Sequence, residues 1–524
     1  MEVWTKYLEK QMHKVTKQQI SAFGGAMIAG TISHGYVFAN SLLYHDGILA
    51  VHTQGTTFPL GRWGLGILEW ILTYTVGEYS NSMFNGMMSL FLIAVSSMLI
   101  VELLHLTQKL DAIYTGVIMA IFPVVTSIFA FMYTAPAYWI ALFCNIFAVY
   151  VVCKHKKYVW GIVLLAIALG LYQAFFAVAI SVFLLSMITD SIEGKWNSFR
   201  EIIGCGLKYV MIMIGGLALY LLVNAAAVKV LKISMSSYQG TDQMGKLEIK
   251  EIPHLLWRTY DQFGLNVNWS GINNALILRL AIWGIILITV FLFVIIICRG
   301  EQKNSNKVGL LLLFCLTPMA FNGAYLFSTN ASYSVHTLMR YSLVFALIIP
   351  LVPLEYLEGK RLLRGKLHVF VAEIILPLLL CGVSGCYIYN NNVAYMKENF
   401  LQEQAISYYT VLISEIKGTD GYNDDLPIAY IGERNIEDKS VTMWPQFERV
   451  QITGYEGNAS DLLNDYAWRV YVGRHCGFYP KVLEDTTEIE RLTEVKEMPC
   501  YPDKGSIKVV NGAVVVKFTE ADIP

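Results

Sequence analysis

The chain has 524 residues, 55% of them hydrophobic and only 15% charged, with 39 basic and 40 acidic side chains for a net charge of −1. A soluble domain carries about 25% charged residues, and the mean hydropathy here is +0.48. These values exclude an ordinary soluble enzyme, and a near-neutral balance with no basic block longer than a loop gives nucleic acid no footing. The sequence reads as a polytopic α-helical membrane protein.

Residues 1–18 hold Glu2 and Glu9 among their lysines, too charged for a signal-peptide core. Val3, Tyr7, Leu8, Met12 and Val15 recur at helical spacing opposite the lysines, which predicts an amphipathic helix on the cytoplasmic leaflet. A bilayer span needs about 20 mostly apolar residues. Eleven spans follow, at 19–44, 81–104, 112–133, 136–153, 158–172, 174–189, 202–226, 275–298, 308–327, 337–357 and 367–389. The short fifth and sixth meet at "LYQA" and read as two helices, as one long kinked helix or as a re-entrant pair. Lysine and arginine collect in alternate loops, among them "KHKK" at 154–157 and Lys360, Arg361, Arg364 and Lys366. The positive-inside rule then places the N-terminus in the cytoplasm and the C-terminus outside.

Three external regions result. The first is the loop 45–80. The second, 227–274, contains "EIPHLLWRTYDQFG", whose Ile252, Leu255, Leu256, Thr259, Tyr260 and Phe263 share a helical face and predict an interfacial helix. The third is the tail 390–524, read as a small extracytoplasmic α/β domain following a transmembrane domain at 19–389. The tail opens with a helix over 392–417 and a strand-like "LPIAYIG". It closes on "GSIKVVNGAVVVKF", where Asn511-Gly512 between two β-rich runs predicts a hairpin. Nine cysteines form no CxxC or metal-ligand spacing. Seven lie in or beside apolar runs, and Cys476 and Cys500 in the tail fit either a disulfide or two free thiols.

Ionisable groups at the edges of spans are costly and tend to be functional. Asp46 stands within two residues of the end of the first span, in "YHDGILAVHTQGTTFPLGRWGLG", between His45 and Gly47. A loop aspartate ordinarily caps a turn, but this position at the membrane surface suits a general base. Arg62 and Trp63 fit an interfacial anchor, and Arg62 equally fits a bidentate phosphate ligand. Arg340, in "HTLMRYSLVF", opens a span from the outside, where it can snorkel to the headgroups or hold an anion. Asp46, Arg62 and Arg340 share one face, as an anionic lipid-linked substrate requires. Tyr172 and Gln173 form a polar break that serves as a turn or as a sugar-hydroxyl contact, and Asn322 and Asn330 are weaker candidates of that kind. Glu69 and Glu78 are candidate second acids, Glu78 ahead because it precedes the second span. His336 reads as structural. Walker, dinucleotide, GxSxG and HExxH patterns are absent. With no cytoplasmic segment large enough for a nucleotide sugar, the donor must arrive through the membrane.

The order "HDG…GRWGLG" after the first span resembles the polytopic serotype-converting glucosyltransferases, in which an acid pair is followed by "GRW" at the end of the first external loop. The resemblance extends to "GLYQAF", "TLMRYSLVF" and the tail's "MPCYPDKGSIKVVNGAVVVKF". It implies a GT-C-like inverting enzyme outside the bacterial cytoplasmic membrane. Such an enzyme moves glucose from a polyprenyl phosphate, typically undecaprenyl-phosphate glucose, to a lipid-linked or surface polysaccharide of the O-antigen kind. A donor synthase and a flippase are the implied partners, and the lipid-linked sugar phosphate is a co-substrate rather than a cofactor. One departure stands out: the acid pair is reduced to Asp46-Gly47. The base role then falls on Asp46, with Glu78 as the second acid. Arg62 and Arg340 would hold the donor phosphate, and His45, Trp63, Tyr172 and Gln173 would contact substrate. One acid demands no metal. A lipid-linked sugar flippase or transporter would instead place charges at mid-bilayer between repeats. A polysaccharide polymerase or ligase would show a larger arginine-rich external loop, and a membrane sensor would leave the first-loop pattern without a purpose.

Overall fold

The computed structural model describes residues 15–42, 46–49, 57–75, 77, 80–236, 249–265, 269, 276–327, 337–363, 365–432, 447, 449–455 and 467–520. Among them, eight helices are long and apolar enough to cross a membrane: Ser82–Leu103, Lys109–Phe129, Ala135–His155, Gln173–Ile192, Phe199–Leu231, Leu276–Arg299, Tyr341–Gly359 and Gly365–Lys417. The sequence pattern counted eleven, and three differ for separate reasons. The stretch expected at 19–44 is a 23-residue helix, Lys17–Ala39, diluted by polar groups such as Gln19, Ser33 and His34. The fifth, Tyr158–Leu171, is only 14 residues long. The ninth breaks into Asn304–Cys315, Thr317–Phe321 and Ala324–Phe327, the first break falling where Pro318 cannot continue the ladder. The fifth and sixth spans are separate helices, parted by an extended Tyr172 at φ −154° and ψ 104°. The expected amphipathic segment lies largely in residues 1–14, outside the described residues.

The chain divides into two compact units, the first formed by residues 1–41, 51–393 and 450–453. Several of its buried polar groups find partners within the bundle, as burial favours. Thr16 and Gln19 form a reciprocal cap at the start of the first helix. His34 Nε2 donates to Ala120 O at 2.9 Å, and Asn391 Nδ2 donates to Ser33 Oγ and Ile121 O at 2.9 and 2.8 Å. Large apolar side chains such as Met211, Leu222 and Ile277 stay exposed, as a lipid-facing surface demands. Glu355 accepts from Thr107 N, Thr107 Oγ1 and Gln108 N at 2.7–3.0 Å, capping the helix that begins at Lys109. Glu355→Gln puts an amide donor where these donors point. It is expected to cost about 1–3 kcal/mol, read as a lower melting temperature in detergent.

The second unit contains residues 42–50, 394–449 and 454–524. Strand β1 (Ile428–Ile431) pairs in parallel with β3 (Ala513–Lys517), and β2 (Ile507–Val510) pairs antiparallel with β3, giving the order β1-β3-β2. The β2–β3 turn is Asn511-Gly512 with φ of 48° and 78°, the paired positive φ of a two-residue hairpin that asparagine and glycine tolerate. Alternation along β3 sends Val514 and Val516 into one core with Tyr409, Trp468 and Tyr471. Ala513 and Val515 enter a second core with Ile489, Val495 and Met498. Ile48, from the first loop, is buried in the first of these cores. All nine cysteines, Cys476 and Cys500 included, are free thiols.

Candidate active site

The "GRWGLG" stretch is built from the turn upward. A tight turn at Phe58–Leu60 ends at Gly61, whose φ of 72° suits glycine. A Cβ there would stand 2.6 Å from Tyr220 Oη. Tyr220 donates to Gly61 O at 3.1 Å, and Gln173 Nε2 donates to Leu60 O and Tyr220 Oη at 3.0 and 3.2 Å. The helix Trp63–Thr75 then meets Tyr158–Leu171 almost backbone to backbone. A Cβ on Gly64 would lie 3.0 Å from the Gly170 carbonyl carbon, and one on Gly170 would lie 2.5 Å from the Trp63 ring. Gly170→Ala is therefore expected to cost about 1–3 kcal/mol by overpacking, with Gly64→Ala close behind in a thermal-unfolding series.

This packing fixes Arg62. Its Nη1 donates to Tyr138 Oη at 3.0 Å. Its guanidinium carbon lies 5.8 Å from the Tyr138 ring centroid and 5.7 Å from that of Tyr172. The two rings stack on each other at 4.0 Å. Arg62 Nε is buried and has no hydrogen-bond partner among the described residues. Such a donor costs about 1–3 kcal/mol until an acceptor arrives. Tyr138 and Tyr220 went unnoticed in the sequence because both sit inside apolar runs. A tyrosine in such a run is itself the signal, since its buried hydroxyl usually finds a partner.

Tyr172 also joins this cluster to the segment carrying the second arginine. Its hydroxyl donates to Leu338 O at 3.5 Å, in the short turn Thr337–Met339 that precedes Arg340. Arg340 is buried, and its guanidinium lies 5.4 Å from the Tyr325 ring centroid. Arg258 faces the same ring at 4.9 Å. Arg258 comes from the helix Ile252–Tyr260, where an interfacial helix was expected. Asn322 Nδ2 donates to Thr259 O at 3.1 Å.

The structure thus gathers Arg62, Trp63, Tyr172 and Gln173, with the Arg340 segment tied on through Tyr172. Trp63 and the Gln173 amide nitrogen are engaged in holding the turn and helix together. Asp46 belongs to the other unit, where it opens the one-turn helix Asp46–Leu49 and is half-buried. Glu69 lies in the helix Trp63–Thr75. Glu78, His45, Asn330 and His336 lie outside the described residues.

The sequence pattern of the Glucosyl transferase GtrII family covers residues 35–347, more than half of the chain. The chain belongs to that family. No curated protein and no solved structure is significantly similar to it. Membership in the GtrII family makes the chain a glucosyltransferase, and its apolar helices make it a membrane-embedded one. The matched GtrII region contains Asp46, Arg62, Tyr138, Tyr172, Gln173, Arg258 and Arg340, and ends before the last helix and the sheet.

Proposed function

We propose that the protein transfers glucose, with inversion, from a polyprenyl-phosphate donor to a surface or lipid-linked polysaccharide of the O-antigen kind. The reaction takes place on the outer face of the cytoplasmic membrane, with the N-terminus inside and the C-terminus outside. The observation that carries this reading is Arg62: a guanidinium held against a stacked pair of tyrosines, with a buried Nε–H awaiting an acceptor. A planar fork suits a phosphate oxygen pair better than an ammonium would. Arg340, on the segment that Tyr172 ties to Arg62, supplies the second positive charge.

In this mechanism Asp46 takes the proton from the acceptor hydroxyl as the oxygen attacks the anomeric carbon. The bond to the donor phosphate breaks on the opposite side, and Arg62 and Arg340 stabilise the charge that develops on the leaving phosphate. Phosphate leaves without protonation, so one carboxylate suffices, with Glu78 available as a second acid and no metal required. Tyr172, Gln173, His45 and Trp63 border the sugar. A donor synthase and a flippase would supply the lipid-linked sugar.

The anomeric configuration of the product tests the proposal. With a polyprenyl-phosphate glucose of known anomer, the product linkage is expected to be of opposite configuration. Retention would require a covalent intermediate or a second displacement, and would remove the single-base mechanism.

A further inference from the structure

The helix that carries Asp46 is four residues long, Asp46–Leu49. A single turn does not hold itself: nucleation fixes several residues for one hydrogen bond and is unfavourable by roughly a thousandfold. Its terminal carbonyls have no partners further along the helix. Gly47, directly after the acid, adds backbone freedom. The carboxylate is therefore only as well placed as the ties that hold this turn from outside.

Two ties come from the same compact unit. Ile48 is fully buried in the core formed with Tyr409, Trp468 and Tyr471. Arg474 Nη1, from the helix Trp468–Cys476, donates to Ile48 O at 2.7 Å, a charge-assisted bond of the stronger kind. Arg474 makes no ion pair among the described residues, whereas Arg469 on the same helix pairs with Glu484 at 3.2 Å. The neighbouring His475 is kept below the usual imidazole range by burial and by the Arg474 charge. It is neutral at pH 7 and leaves Arg474 as the cation at this end of the helix. The backbone of the Trp468–Cys476 helix is fixed in turn by Tyr471, whose hydroxyl donates to Gln402 O at 3.1 Å.

We infer that Arg474 is the positioning residue for Asp46: by holding the Ile48 carbonyl it orients the turn on which the base stands. Arg474 then contributes to chemistry without touching substrate. This inference rests on the reading of Asp46 as the base.

The test compares Arg474→Met, Arg474→Lys and Asp46→Asn in the full-length protein in membranes. Transfer from polyprenyl-phosphate glucose is measured alongside hydrogen–deuterium exchange of the peptides covering 46–49 and 507–517. Arg474→Met is expected to lower kcat roughly 10- to 100-fold, the scale of a misplaced catalytic group. Its donor KM should stay within about twofold, since no substrate contact is lost. Exchange should rise at 46–49 and stay unchanged at 507–517, and Arg474→Lys, which keeps one charged donor, should restore most of the rate. A native kcat in Arg474→Met, a raised KM with kcat retained, or faster exchange in both peptides would each overturn the positioning role. If Asp46→Asn itself transfers at the native rate, the base reading has failed and the inference falls with it. An inactive Asp46→Asn beside a fully active Arg474→Met would sink the inference alone.

Discussion

Asp46→Asn is expected to lower glucosyl transfer by about 10²- to 10⁴-fold, the range that a positioned general base contributes. Asparagine has nearly the same shape, so the burial of Ile48 and the bond from Arg474 to its carbonyl should survive the change. What disappears is the capacity to accept the proton of the acceptor hydroxyl. Initial rates at matched expression check this, with Glu78→Gln as the companion. The reading of the first loop gives Glu78→Gln a much smaller loss. A normal rate in Asp46→Asn with a dead Glu78→Gln would move the base to Glu78.

Arg62→Lys is expected to lose about 10²-fold in transfer although the charge is kept. Lysine cannot reproduce the geometry that places one guanidinium against the Tyr138 hydroxyl at 3.0 Å and within 6 Å of two tyrosine rings. It also cannot offer a second, parallel N–H to a phosphate. Arg62→Gln should lose about 10²- to 10³-fold, in line with removal of one oxyanion-stabilising donor. Tyr138→Phe leaves the ring and removes only the neutral partner of Nη1. A loss of roughly 2- to 10-fold corresponds to one such hydrogen bond. An Arg62→Lys protein with native kcat and native donor KM would show that the arginine serves the fold and not the donor.

The parts legible in the sequence are those governed by short-range chemistry. Asn511-Gly512 between β-rich runs could hardly form anything but a tight hairpin, and it does. Most helices lie where unbroken apolar runs placed them, whereas reading 308–327 as one span passed over the break at Pro318. "GRWGLG" was visible as a motif, but the need for its glycines was not. Gly61 faces Tyr220, 159 residues on, and Gly64 faces Gly170 across a helix crossing. Such pairings are set by tertiary approach rather than by local propensity. The same holds for residues 42–50: Ile48 reads as one more apolar residue near a span, yet it is buried beside Tyr471. Tyr138 was hidden because a single hydroxyl hardly alters the hydropathy of "APAYWIA".

The donor separates this account from its rivals most directly. Purified protein in vesicles with a polysaccharide acceptor would receive labelled glucose either on polyprenyl phosphate or on a nucleotide. Incorporation is expected from the lipid donor alone, abolished by Asp46→Asn and strongly reduced by Arg62→Gln. Incorporation from the nucleotide sugar in the absence of any polyprenyl phosphate would contradict it.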